Sequence, residues 1–221
     1  MMKITQIYQN LSISAFGAGI ALLCMLLLSL FSNNHITQQH FEIFSPAERY
    51  TSELLASSSL LRAILSFDNI FIVLYSTCFI FLFLALTQTE KSIHLVIGLV
   101  AVLGTGLLDF YENHHILTFL TMAEKGTPIS NEEIAHQMTM SQMKFHLSYL
   151  SFFLFGFSMP DKTFLEKGLK FSLLFIQLPI GVGVYTSPES LKPIFEIARY
   201  GCMLGGLFMI AYVFYAKKKF V

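Results

Sequence analysis

Long uncharged segments alternate with short polar segments along this chain. The hydrocarbon core of a bilayer is about 30 Å thick, and a helix needs about 20 apolar residues to cross it. The pattern predicts six membrane spans, at about 11–31, 68–87, 93–115, 142–160, 164–185 and 194–216. These apolar runs are unbroken, whereas the strands of a β-barrel would alternate. The predicted fold class is therefore an all-α, polytopic transmembrane helix bundle.

Short motifs predict how the spans are connected. Ser45-Pro46-Ala47-Glu48 has the pattern of a capping box with Pro at the first helical position, so a helix should start there and run towards the second span. Ser130–Glu133 has the pattern of a second capping box, without the proline, before the fourth span, and Thr186–Glu189 should start a helical turn before the sixth. We therefore expect a helix-containing loop at 32–67. No repeat or linker divides the chain, which predicts a single domain over residues 1–221.

Small residues and one proline predict helix packing. Gly201-x-x-x-Gly205 and Ala15-x-x-x-Gly19 have the spacing that lets two helices approach closely. We expect both to pack within the chain; the pattern does not indicate an oligomeric state. Pro179 should bend the fifth span, and a broken-helix ion site is the alternative for this proline.

Composition supports the membrane assignment. Hydrophobic residues make up 54% of the chain and charged residues 13%, against about 25% charged in soluble domains. The net charge of zero gives no indication of a nucleic-acid partner, so membrane lipid is the expected surrounding. Three cysteines, Cys24, Cys78 and Cys202, lie in apolar runs and are expected to be packing residues. No phosphate-binding or dinucleotide-binding motif occurs, and no cofactor is expected.

The distribution of basic residues predicts orientation. With six spans, one side receives Lys3, Lys91, Lys162, Lys167, Lys170, Lys217, Lys218 and Lys219. The other receives Arg49, Arg62, Lys125, Lys144, Lys192 and Arg199, of which Arg62, Lys144 and Arg199 lie at span ends rather than in loops. Because basic loops stay in the cytoplasm, both termini are predicted to be cytoplasmic in a multi-pass protein of the plasma (inner) membrane.

Ionisable residues of several spans lie at one predicted depth. At 1.5 Å per residue, Asp68 lies roughly 28 Å from the cytoplasmic end of its span, and Asp109 and Lys144 roughly 24 Å. Arg199 and Glu196 lie at a similar height on the sixth span. Buried charges in a membrane need partners, so the polar stripes of these helices should face one another in the outer part of the membrane.

The predicted cluster contains more acids than bases. Asp68, Asp109, Glu112 and Glu196 face Lys144 and Arg199. A surplus of carboxylates in a low dielectric should hold a proton, bind a cation or admit water. We expect Asp109 and Glu112 to share a proton or a cation.

Three motifs in the middle of the chain resemble those of an uncharacterised family of small bacterial integral membrane proteins. They are Asp68-x-x-Phe71-Ile72-x-Leu74-Tyr75, Leu108-Asp109-x-x-Glu112-Asn113, and Lys144 near the start of the next span. The resemblance covers roughly residues 64–155. It implies that Asp68, Tyr75, Asp109, Glu112, Asn113 and Lys144 belong to one site, and it implies no activity.

The leading functional hypothesis is an outer-leaflet polar pocket that binds or passes a small polar or cationic ligand or protons. Two alternatives stay open: an intramembrane enzyme acting on a lipid headgroup, and a non-catalytic assembly protein with a structural ion-pair network. Several histidines, a residue type that ligates metals, are expected on the outer side, but they lack metal-site spacing and no metal is expected. They include His114, His115, His136 and His146.

Overall fold

The computed structural model describes residues 2–32, 37–89, 91–188 and 190–219, and these residues form helices and no strand. The α-helices are α1 (Ile4–Leu30), α2 (Ala47–Ala56), α3 (Ser58–Leu86), α4 (Ile93–Glu124), α5 (Asn131–Ser158), α6 (Phe164–Phe171), α7 (Gln177–Thr186) and α8 (Lys192–Lys218). A 3₁₀ helix at Gln38–Glu42 precedes α2, and a π-helical turn at Ser172–Ile176 joins α6 to α7.

Five helices are long and apolar enough to cross a membrane: α1, α3, α4, α8 and the continuous helix Phe164–Thr186. They make this a multi-pass membrane protein by length and composition. The remaining long helix, α5, has 28 residues, but its first half is polar, with Glu132, Glu133 and Lys144 among its residues.

The two terminal helices run antiparallel. Near their outermost residues, the rings of Tyr8 and Phe214 lie 5.5 Å apart. Near the other end, the Tyr200 hydroxyl donates to the Leu22 carbonyl over 3.4 Å. The start of α1 and the end of α8 therefore lie at one end of the bundle, here called the terminal end. The opposite end, which carries the 3₁₀ helix and α2, is called the α2 end.

The long helices form a closed ring. In order around it, α1 packs on α3, α3 on α4, α4 on α5, α5 on the π turn and α7, α7 on α8, and α8 on α1. Apolar side chains from these helices make one large core, in which Leu11, Ile72 and Phe155 are fully buried. A ring of helices encloses a centre, and polar side chains of several helices can meet there.

A second core lies at the α2 end. Tyr50 of α2 packs edge-to-face on Phe41 and Phe119, with ring centroids 5.5 and 5.8 Å apart. Leu54, Leu61 and other apolar residues from α2, α3, α4 and α5 complete it. Such contacts contribute free energy beyond simple burial, so the 3₁₀ helix and α2 are fixed over this end of the ring.

The predicted helix from Ser45 needs two corrections. Pro46, with ψ 140°, is the N-cap itself, and no side chain caps α2; Ser45 is one residue too early to do so. The helix also does not continue unbroken into the second span, because the backbone of Ser57 leaves the helical conformation, with φ −113° and ψ 12°, and ends α2 there. The following helix, α3, starts at Ser58, ten residues before the predicted span.

Other local predictions have mixed outcomes. The Ser130 capping box is confirmed, since the Ser130 hydroxyl accepts from the Glu133 amide over 3.2 Å. In the Thr186–Glu189 motif, Glu189 lies outside the described residues, and the Pro188 carbonyl starts a turn by accepting from the Leu191 amide over 2.9 Å.

The fifth span does deviate from a regular α-helix just before Pro179. The amide of Gln177 bonds to the carbonyl of Ser172, five residues back. A wider turn here suits a proline, which has no amide hydrogen and whose ring would crowd the preceding turn.

The two small-residue motifs differ. Gly19 packs against the Phe208 ring, where an added Cβ would lie 2.9 Å from the nearest ring carbon, so the Ala15–Gly19 motif joins α1 to α8 as expected. The prediction for Gly201 and Gly205 is wrong, because no atom lies within 4 Å of a Cβ built at either glycine. Both face outward from the ring, on the side of α8 opposite its buried residues.

Candidate functional site

The helical register of α4 turns its polar stripe into the ring. Thr105, Glu112 and Asn113 are buried, and Asp109 lies between them with its side chain 13% exposed. These residues recur at intervals of three and four, which places them on one helix face. Since α3 and α5 flank α4 in the ring, this face meets polar residues of both neighbours.

Lys144 of α5 lies at the centre of the cluster. Its ammonium is 2.5 Å from Glu112, 3.0 Å from Asp109 and 3.1 Å from Glu42. Three carboxylates thus surround one buried cation, and Ser141, one turn earlier on α5, also donates to Glu112. A charged group this far from water requires such partners.

A hydrogen-bonded amide pair extends the cluster to α3 and the 3₁₀ helix. The Asn113 side-chain amide donates to Asp68 over 2.6 Å and to Asn69 over 3.1 Å. Gln38 of the 3₁₀ helix donates to Asn113 over 2.9 Å and to Glu112 over 3.3 Å. The amides therefore connect Asp68 to the carboxylates around Lys144.

Tyr75 closes the cluster towards the middle of the ring. Its hydroxyl donates to Asp109 over 2.5 Å. Asp109 thereby accepts from Tyr75 with one oxygen and from Lys144 with the other. The structure brings together six of the predicted residues: Asp68, Tyr75, Asp109, Glu112, Asn113 and Lys144.

The sequence prediction missed Glu42. This carboxylate is buried although it belongs to the connecting segment between α1 and α2. Burial alone would raise the pKa of Glu42, but the positive charges of Lys144 and Arg199 lower it below its ordinary value. The missed signal was the apolar surroundings of this acid, with Phe41 before it and Ile43 and Phe44 after it. Gln38 of the same 3₁₀ helix was missed as well, and its polar neighbours Thr37 and Gln39 give no such signal.

Arg199 lies beside the cluster rather than within its ion pairs. Its guanidinium stacks on the Phe145 ring at 4.0 Å, and the Lys144 ammonium lies 4.8 Å from the same ring. The Arg199 guanidinium also donates to the Tyr185 hydroxyl over 3.5 Å, while the Arg199 Nε is buried without a hydrogen-bond partner among the described residues.

Glu196, by contrast, is not brought into the cluster. It is partly exposed, and the hydrogen bonds and ion pairs of the described residues include none between Glu196 and the cluster.

The histidines on this half of the molecule stay outside the cluster. His114, His136 and His146 are exposed, and His115 bonds to Gln137 over 2.6 Å while its ring packs on Phe119. Within the described parts of the chain, no group of three or more His, Cys, Asp or Glu residues has a geometry that could hold a metal ion.

A cavity of about 130 Å³ borders the cluster. Its polar wall includes Glu42, Asp68, Asp109 and Lys144, together with Tyr75. The rest of its wall is mainly apolar and comes from α1, α3, α4, α5, the α6–α7 helix and α8. The charged groups are therefore accessible from a space inside the ring.

Comparison of the chain with protein families, with curated proteins and with solved structures gives no match. The resemblance based on the three sequence motifs stays a prediction.

Proposed function

We propose that the protein crosses the plasma (inner) membrane six times, with both termini in the cytoplasm. Five helices have the required length and composition. The sixth would be α5, since it packs antiparallel between two of them: His94 bonds to Ser158 at one end of the α4–α5 pair, and His115 bonds to Gln137 towards the other. The lysines at 217–219 favour a cytoplasmic terminal end, which makes the α2 end extracytoplasmic.

We further propose that the charged cluster binds a small polar or cationic ligand, and that it holds protons when the ligand is absent. Among the described residues, four carboxylates (Glu42, Asp68, Asp109 and Glu112) meet two fixed cations, Lys144 and Arg199. The difference is two negative charges. An uncompensated charge in a low dielectric is costly, so protons or a bound cation must neutralise this surplus.

The observation that carries the proposal is the cavity beside these carboxylates. A network that only holds helices together needs no space next to it, and its carboxylates would be best enclosed completely. Here Glu42, Asp68 and Asp109 line an internal space, so a ligand with hydrogen-bond donors or positive charge can reach them. Passage of the ligand or of protons would use the same groups in turn.

The test uses ethylammonium as a small cationic probe. Purified protein in bilayer discs of neutral lipid is titrated with the probe, and binding is followed by calorimetry. Infrared spectra report the carbonyl band of protonated carboxyl groups. We expect saturable binding, with loss of part of that band as the cation displaces protons. Asp68→Asn and Asp109→Asn should weaken binding.

Asp161→Asn provides the matched control. This carboxylate is 61% exposed and pairs with Lys170 far from the cluster, so its removal should leave ethylammonium binding unchanged. Absence of saturable ethylammonium binding in a folded wild-type protein would refute the proposal.

A further inference from the structure

The cavity changes character along its length. Its charged groups lie towards the α2 end, where Glu42, Asp68 and Asp109 line it. Further towards the terminal end, the wall consists mainly of apolar side chains such as Phe79 of α3 and Leu207 and Ile210 of α8. Along α3, Phe79 lies roughly 16 Å from Asp68 at 1.5 Å per residue. A ligand that fills this space must be polar at one end and apolar at the other.

We infer that the ligand is a single-chain cationic amphiphile, whose ammonium or similar head binds the carboxylates and whose alkyl chain extends towards the middle of the membrane. This inference rests on the proposed function and names the ligand class for the same cluster. The orientation matches that of a lipid in the extracytoplasmic leaflet, with its head at the surface and its tail inward.

The size of the cavity limits the ligand to one chain. An apolar cavity of about 150 Å³ binds a benzene molecule, and this cavity measures about 130 Å³. That volume accommodates one alkyl segment of several carbons beside the polar head. The two chains of a diacyl lipid do not fit.

The charge of the head follows from the carboxylates. Lys144 is already surrounded by three of them, so it has no free hydrogen-bonding direction for an anionic head. The surplus acids instead accept bonds from a donor. An alkylammonium offers three N–H donors and a positive charge. An alcohol offers one donor and no charge, and a fatty acid anion offers no donor and carries a negative charge.

A substitution at Gly206 of α8 can fill the apolar part of the cavity without disturbing its charged part. It lines the cavity together with Leu207 and Ile210, and no atom lies within 4 Å of a Cβ built there. Gly206→Leu therefore places a side chain in empty space, and the change favours helix formation. Gly205→Leu is the matched control, because this neighbour is equally uncrowded but does not line the cavity.

The experiment compares ethylammonium with hexylammonium on the wild type and on both glycine variants, in the same bilayer discs. Each methylene buried on binding should raise the affinity roughly fourfold. Relative to the wild type, Gly206→Leu should weaken hexylammonium by about tenfold or more, the loss expected when the leucine displaces two methylenes, and leave ethylammonium unchanged. Gly205→Leu should bind both probes like the wild type. Part of each probe dissolves in the bilayer, but this affects all variants equally under one condition. The ratio of affinities between variants is therefore independent of it.

The outcomes separate the two proposals. If ethylammonium binds but Gly206→Leu does not weaken hexylammonium selectively, the amphiphile inference is wrong and the cation site stands. If hexanol or hexanoate binds the wild type as tightly as hexylammonium does, the assigned charge of the head is wrong. If no ammonium probe binds, both proposals fail.

Discussion

At the scale of single residues, Lys144 determines how the cluster is held together. One ammonium compensates carboxylates that come from the 3₁₀ helix and from α4. In a low dielectric the mutual repulsion of those carboxylates is large unless a cation lies between them. Removal of the cation therefore affects several groups at once.

Replacement of this lysine should destabilise the protein strongly. Breaking a buried ion pair by removing one partner costs about 3–5 kcal/mol, so Lys144→Met should lower the free energy of unfolding by about that amount. Denaturant unfolding in detergent would measure it. Adding Glu112→Gln to Lys144→Met should restore part of the loss, because it removes one of the uncompensated acids.

Lys170→Met is the control for this prediction. Lys170 pairs with Asp161, whose side chain is 61% exposed, and exposed pairs contribute about 1 kcal/mol or less. Equal losses for Lys170→Met and Lys144→Met would contradict the central role of Lys144.

At the scale of helices, glycines differ according to the surface that they face. Gly181 of α7 lies against the Tyr149 ring of α5, and a methyl group there would overlap that ring. Gly201 of α8 meets no atom within 4 Å of a built Cβ and is exposed. The same residue type thus permits close packing at one position and only weakens the helix at the other.

The two glycines should respond oppositely to alanine. Gly181→Ala should destabilise the protein by about 1–3 kcal/mol, since overpacking forces the ring or the helix to move. Gly201→Ala should stabilise it by about 0.5–1 kcal/mol through better helix propensity. Thermal unfolding of both variants beside the wild type would measure these effects, and a loss of stability in Gly201→Ala would show that its surface is covered.

The element scale also shows what the sequence could and could not predict. Periodicity placed Asp68, Asp109, Glu112 and Lys144 at one height on facing helices, and the structure brings them together. Glu42 was missed because a loop has no periodicity from which to infer its path. Glu196 was included because height alone does not determine whether a side chain faces into the ring. For the same reason, the glycine spacing in α8 did not reveal that Gly201 and Gly205 face outward.

At the scale of the whole molecule, the ring and its α2 end are two different environments. The ring has a lipid-compatible surface on which Ile93, Leu107 and Ile197 are exposed. The α2 end has its own core and exposed charged residues such as Glu48 and Arg49. This asymmetry makes the orientation testable.

Labelling of single cysteines should reveal the orientation and the number of spans. In a background without Cys24, Cys78 and Cys202, we expect Glu48→Cys and Glu132→Cys to react with a membrane-impermeant maleimide in intact cells. Lys162→Cys should react only after the cells are opened, because α5 separates it from Glu132. If Glu132→Cys and Lys162→Cys label from the same side, α5 does not cross the membrane and the six-span proposal is wrong.

The bond between Lys144 and Glu42 joins residues 102 positions apart in sequence, and this distance has a consequence for biosynthesis. The ribosome delivers Glu42, Asp68, Asp109 and Glu112 before it has made their lysine. A nascent chain that ends before α5 carries these acids without their counterion, so they must stay protonated or hydrated at the insertion machinery. We therefore expect α3 and α4 to settle into lipid only when α5 emerges and delivers the missing charge.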